Sequence, residues 1–182
     1  EEDVSVDIVL DGTDIDGDDL VYLLDQDSSN GSVIIVDNIA TFTPDLDFNG
    51  STSFSYKVSD GELISSSATV EIIVIPVNDA PVLDAIDDQE TDEDTSFIYD
   101  IVATDVDGDD LSYSISIDGN GDASIDGSSL TIAPDTNYNG SIEATVTVTD
   151  GEYIDSDTFT LIVNPVNDAP VLDAIDDQET DE

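Results

Sequence analysis

Cysteine, histidine and tryptophan are absent from this 182-residue chain, and Lys57 is its one basic residue. Without cysteine no disulfide can staple a fold and no thiolate can hold a metal. Without histidine or cysteine the usual nucleophile and base pairs of enzymes are missing. Paired carboxylates can cleave glycosides, but there is no tryptophan and aromatics make up 6% of the chain, too little to build a sugar subsite. A chain with one cation against 46 acidic side chains and a net charge of −45 has no electrostatic reason to meet phosphate backbones or anionic membrane surfaces. No apolar run is long enough to span a bilayer. No signal peptide opens the chain, so a secreted protein is expected to begin upstream and this stretch to be a mature fragment. No segment shows helical periodicity over a useful length.

What remains is acid, short apolar stripes and turn residues. Self-repulsion at this charge opposes a compact state. Yet 38% of the residues are hydrophobic, too many for a disordered acidic tail. Two remedies exist: divalent cations neutralise part of the charge, or high salt screens it.

The chain repeats itself with a period of about 90 residues. Val77-Asn78-Asp79-Ala80-Pro81-Val82 returns as Val166-Asn167-Asp168-Ala169-Pro170-Val171. Asp14-Ile15-Asp16-Gly17-Asp18-Asp19-Leu20 returns as Asp105-Val106-Asp107-Gly108-Asp109-Asp110-Leu111. Pro44-Asp45-Leu46-Asp47-Phe48-Asn49-Gly50-Ser51 returns as Pro134-Asp135-Thr136-Asn137-Tyr138-Asn139-Gly140-Ser141, and Asp60-Gly61-Glu62 as Asp150-Gly151-Glu152. Both chain ends fall at one phase of the repeat, which is expected of a window cut from a longer array. The spans are residues 1–77 for repeat one, 78–166 for repeat two, and 167–182 for a linker and the start of a third.

Inside each repeat the hydrophobic period is two. Phe54, Tyr56 and Val58 alternate with Ser53, Ser55 and Lys57; Ile142, Ala144, Val146 and Val148 alternate with Glu143, Thr145 and Thr147. One buried and one wet face describe antiparallel strands in a sandwich. Strands are expected near 4–10, 20–25, 32–36, 39–43, 51–59 and 65–75, then near 96–102, 111–117, 122–125, 129–133, 141–149 and 156–165. Each repeat is large enough to bury its own core.

Calcium takes six to eight oxygen ligands. Asp-x-Asp presents two carboxylates to one point, and the glycine of Asp-x-Asp-Gly-Asp lets the backbone bend around it. An acidic turn with no ion uses the same residue types. Recurrence at one phase beside Asn-Asp-Ala-Pro favours the metal reading.

These residues carry a resemblance. Ala103 to Asp109, followed by Leu111-Ser112-Tyr113-Ser114-Ile115, resembles the Asp-x-Asp segment of cadherin repeats. Val74-Ile75-Pro76-Val77-Asn78-Asp79-Ala80-Pro81 is similar to their inter-repeat linker. The whole chain resembles the cadherin-like and Ig-like tandem repeats of giant secreted bacterial adhesins. That resemblance implies an all-β protein of two tandem Greek-key sandwich domains in an extended end-to-end array, with several calcium ions, mainly at the joint between repeats. Carried over by position, the first joint draws Glu2 or Asp3, Asp45 and Asp47 from repeat one and Asn78 and Asp79 from the linker. Repeat two adds Asp105, Asp107 and Asp150, with Asp109 as a further candidate. The second joint draws Glu93 or Asp94, Asp135, Asn167 and Asp168, but Asn137 stands where a second carboxylate is expected and half its ligands belong to a third repeat. Asp14, Asp16 and Asp60 lack a preceding linker within this sequence. Pro81 restricts its own φ and makes Ala80 extended, so the joint is short and partly stiff before any ion binds.

Three further signals read as structure. Asp118-Gly119-Asn120-Gly121-Asp122 spaces acids as a calcium loop does, but Ala123 and missing flanking helices favour a hairpin turn. The three Asn-Gly-Ser triplets at Asn30, Asn49 and Asn139 match a glycosylation pattern and equally a turn preference. The acidic run from Asp87 to Asp94 reads as a solvated segment, apart from Glu93 and Asp94. The expected role is then a non-enzymatic, calcium-rigidified extender of a long extracellular bacterial surface fibre or adhesin, partnered by neighbouring repeats of its own chain. The alternative is a repeat that itself binds polysaccharide or pairs with like chains in adhesion; a third is general salt-tolerant acidity with no specific metal.

Overall fold

A computed structural model describes residues 1–174. They form two compact units, one of residues 1–78 and one that begins at Asp79. All regular structure among the described residues is β. The expected start of a third repeat lies partly outside them.

Unit 1 is a sandwich of two three-stranded sheets. β1 (Val6–Val9), β4 (Ile39–Pro44) and β3 (Gly31–Val36) form one, in that order; β2 (Val21–Gln26), β5 (Gly50–Ser59) and β6 (Ala68–Val74) form the other. Every pair is antiparallel. Alternation turns Ala40 and Phe42 of β4 and Phe54 of β5 inward, and Leu10, Val33 and Val74 complete the buried core.

Unit 2 repeats this plan and adds to it. β11 (Ser112–Ile117), β14 (Gly140–Thr149) and β15 (Ile154–Asn164) match the β2, β5, β6 sheet. β9 (Phe97–Asp100), β13 (Ser129–Pro134) and β12 (Gly121–Asp126) match the other. Ile142, Ala144, Val146 and Val148 along β14 are fully buried, in one core with Phe159 and Leu161 of the neighbouring strand and Leu130 and Ile132 of the other sheet. Two short additions, β7 (Val82–Leu83) with β10 (Ala103–Thr104), form an antiparallel pair.

The third addition corrects the sequence reading. Within the acidic run of Asp87 to Asp94, β8 (Gln89–Asp92) is a strand, paired in parallel with Leu161–Asn164 of β15. It lacks the apolar alternation that marks a strand, because its side chains lie at an edge; Thr160 N donates to Asp88 Oδ1 at 2.8 Å just before it. The expected hairpin at Asp118-Gly119-Asn120 is corrected as well. β11 pairs with β14 whereas β12 pairs with β13, so these residues carry the chain from one sheet to the other.

Candidate metal centre

The acidic turn of unit 2 is built locally. Asp105 Oδ1 accepts from the backbone N–H groups of Asp107 (2.9 Å) and Asp109 (3.2 Å). This side-chain-to-backbone closure curls the chain, helped by Gly108 at φ 78°, a left-handed angle that glycine adopts freely. The curl brings carboxylate oxygens of Asp105, Asp107 and Asp109 within 4.8 Å of one another. The other oxygen of Asp105, Oδ2, is buried and has no hydrogen-bond partner. Desolvation by its neighbours raises the carboxyl of Asp109, an exposed residue, above its usual range, and the negative charges of Asp105, Asp107, Asp150 and Asp110 raise it further. Asp150 is therefore near enough for its charge to act on the cluster. The N–H of Asp79 donates to Asp107 Oδ2 at 2.8 Å, which ties the first residue of unit 2 to the same turn.

The residues fit a hard divalent cation. Oxygens alone converge; one is buried without a donor; and the neighbouring charge is of one sign. Among the described residues the only ion pair is Lys57 with Asp25, in unit 1.

The equivalent turn of unit 1 has the same backbone closure. Asp14 Oδ1 accepts from Asp16 (2.8 Å), Gly17 (2.9 Å) and Asp18 (3.3 Å). No three carboxylates of this turn meet as closely among the described residues. Asp60 and Asp150 play one local role in their two repeats, each accepting two backbone N–H groups: Glu62 and Leu63 for Asp60, Glu152 and Tyr153 for Asp150. Those donors hold Asp60 below the ordinary carboxylate range, that of Leu63 most strongly.

A second acidic arrangement lies where each unit's chain leaves it. In unit 1, Glu2 is 3% exposed, and its N–H donates to Ile75 O at 3.0 Å. Its Oε1 accepts from Val77 N, and its Oε2 from the Asn49 amide at 3.4 Å. Asp3 Oδ1 accepts from Asp47 N at 3.0 Å, and both aspartates have left-handed backbones, at φ 58° and 55°. Unit 2 repeats this with Glu93, which is 6% exposed and accepts from Val166 N and the Asn139 amide. Asp94 Oδ1 accepts from Asn137 N at 2.9 Å. The change from Asp47 to Asn137 thus keeps the backbone bond and the left-handed turn, at φ 56°, while losing a carboxylate. Asn49 and Asn139 were not legible as supports; their recurrence four residues after an acidic proline turn was the available signal.

Other candidates stand apart. Asp45 and Asp135 act through their backbones, which cross-bond to Asn30 and Asn120, and both side chains are exposed. Asn78 is half-buried; Asn167 and Asp168 are exposed, with the Asn167 amide donating to Asp168 O at 3.0 Å. Asp16, Asp94 and Asp3 are exposed.

The family profile described as Bacterial Ig domain matches this sequence twice, over residues 1–73 and 78–164. No curated protein matches it. Among solved structures, human protocadherin-24 EC1-2 is similar, with a TM-score of 0.59 at 17% identity, over 87% of this chain and 88% of that one. Human mucin-like protocadherin EC1-2 is similar at a TM-score of 0.52 and 19% identity, over 90% of this chain and 100% of that one. At these identities the likeness is one of fold. An endo-fucoidan hydrolase of glycoside hydrolase family 107 matches at 21% identity and a TM-score of 0.39. This chain spans 26% of that hydrolase's length.

Proposed function

The chain belongs to the bacterial Ig domain family, and on that premise we propose that its two sandwiches are spacer repeats of a long, secreted bacterial surface protein, stiffened by calcium where one repeat meets the next. The observation that carries this reading is Asp105: a buried carboxylate oxygen with no donor, in a turn that gathers two further carboxylates. Burying such a group without a compensating partner is costly. A calcium ion compensates it, because it prefers clustered carboxylate and carbonyl oxygens.

Asp105, Asp107, Asp109 and Asp150 are the unit 2 ligands in this proposal, with Asp79. Unit 1 contributes Asn78, Glu2 or Asp3, and Asp47. Two features of the separate units support the assignment. Unit 1 holds Glu2 on the backbone of Val77, and unit 2 holds Asp79 on Asp107. Each acidic set is thereby fastened to its own side of the Asn78–Asp79 bond, with one peptide linkage between them. An ion drawing on both sets removes rotational freedom at that linkage; removing it leaves like charges that repel. No residue of the described surface is assigned a catalytic role.

Calorimetry in chelator, calcium chloride and sodium chloride at matched ionic strength tests the proposal. Site binding stabilises by mass action, about 2.7 kcal/mol per site when free calcium is a hundred times the dissociation constant. Calcium at millimolar level is expected to raise Tm well above the sodium control, and Asp105→Asn to lose most of that rise. Equal stabilisation by the two salts sinks the reading in favour of screening alone.

A further inference from the structure

The two units place different side chains at matching positions of one sheet. Leu10 N donates to Asn38 O as Ile101 N donates to Ser128 O, which sets β1 against β9 and β4 against β13. In unit 1, Val9 and Val36 both lie opposite Ile39, one from each side. In unit 2, Asp100 and Asp126 lie opposite Ser129 in the same way. Asp100 thus matches Val9, Ser129 matches Ile39, Asp126 matches Val36, and Ser124 matches Ile34, two residues before Val36 on β3. The four unit 1 side chains turn outward, because Ile8, Val33, Ala40 and Phe42 beside them turn into the core. Val9 is 72% exposed, Ile34 66%, Val36 64% and Ile39 41%. β-branched residues favour strands. Yet the matching strands of unit 2 pair with Asp100, Ser129 and Asp126 in these places, so pairing does not require them.

A contiguous apolar cluster on the surface of so acidic a chain marks an interaction site. Its rim decides the partner. Asp7, opposite Thr41 on the same outer face, accepts from the Thr41 hydroxyl at 2.6 Å and is exposed. Asp11 and Asp37, which follow the ends of β1 and β3, are exposed as well. Lys57, the one cation of the sequence, belongs to the other sheet of unit 1. We propose that the outer face of the β1, β4, β3 sheet docks a protein partner whose apolar centre is flanked by lysine or arginine. A second copy of this chain brings 46 acids and one lysine, and nucleic acids and anionic lipids bring phosphate, so each meets like charge at the rim. A cationic protein surface meets opposite charge there. At the centre Val9, Ile34, Val36 and Ile39 lose water, the arrangement of an interface core inside a polar rim.

Amide resonances of the full chain in chelator, titrated with a synthetic helix carrying leucine on one face and lysine on the other, test this apart from the calcium reading. Shifts centred on Val9, Ile34, Val36 and Ile39 are expected. A peptide of equal charge with alanine in place of leucine should not produce them. The triple variant Val9→Asp, Val36→Asp, Ile39→Ser installs the residues of unit 2 and adds negative charge. Binding by charge alone then tightens, whereas the proposed docking weakens by about tenfold or more. The reciprocal variant Asp100→Val, Asp126→Val, Ser129→Ile should give unit 2 a second site. Thermal melts show which variants keep the sandwiches, and either one decides alone. Unchanged or tighter binding by the first variant overturns the proposal, as does a folded reciprocal variant with no second site. Shifts spread over the acidic turns overturn it too, as does a chain that self-associates through this face without peptide.

Discussion

Asp79 and Asp107 are joined by a 2.8 Å bond from a backbone N–H to a carboxylate oxygen. The bond makes the linker part of the acidic turn, so one side chain serves both as a structural acceptor and as a proposed metal ligand. The two roles separate by substitution. Asp107→Asn keeps an oxygen acceptor and loses the charge; Asp107→Ala loses both. In chelator, Asp107→Asn is expected to match or slightly exceed the parent protein, since repulsion falls, while Asp107→Ala loses about 1 kcal/mol. With calcium, both variants should lose the metal-dependent rise in Tm. Urea unfolding with and without chelator measures the pattern.

The pH dependence follows from Asp109, whose carboxyl is raised by partial desolvation and then by Asp105, Asp107, Asp150 and Asp110. A raised carboxylate favours the folded state at low pH, and that contribution is lost as pH climbs through its folded value. In chelator, Asp109→Asn should therefore be more stable than the parent at neutral pH and lose that advantage as pH falls into the ordinary carboxylate range. Calcium should reverse the ranking at neutral pH. Urea midpoints across a pH series decide; an unchanged difference at all pH values counts against the raised carboxyl.

Glu93 is 6% exposed and accepts from Val166 N and Asn139. Glu93→Ala leaves these donors unpaired and should cost about 1–3 kcal/mol by the usual penalty for a lost buried acceptor. Glu93→Gln keeps an acceptor and should recover most of it. Chemical denaturation followed through unit 2 resonances separates the two.

Two glycines contrast within unit 1. A Cβ on Gly31 would lie 2.4 Å from Thr43 O at a φ of 148°; on Gly17, at φ 86°, it meets nothing within 4 Å. Gly17→Ala has only backbone strain to bear, about 1 kcal/mol. Gly31→Ala adds a clash with the paired strand and should cost several-fold more. Thermal melts rank them.

The geometry of the acidic turn was legible because its hydrogen bonds are local. The curl from Asp105 to Asp109 needs only an aspartate, a glycine and the intervening amides, and all five residues are contiguous. That Glu2 and Glu93 are buried while Asp3 and Asp94 are exposed was not legible. Adjacent acids look alike in sequence, yet one of each pair is buried against a backbone amide more than seventy positions away and the other is exposed.

The sequence by itself determined the repeat, the all-β class and the buried faces of the long strands, because a period of two is written between neighbouring residues. Tertiary structure alone decided that polar Gln89–Asp92 becomes a strand and that residues 118–120 change sheets. Those outcomes depend on which distant edge is open to pair. Hydrogen bonds between backbones leave no mark in the side chains that a sequence displays.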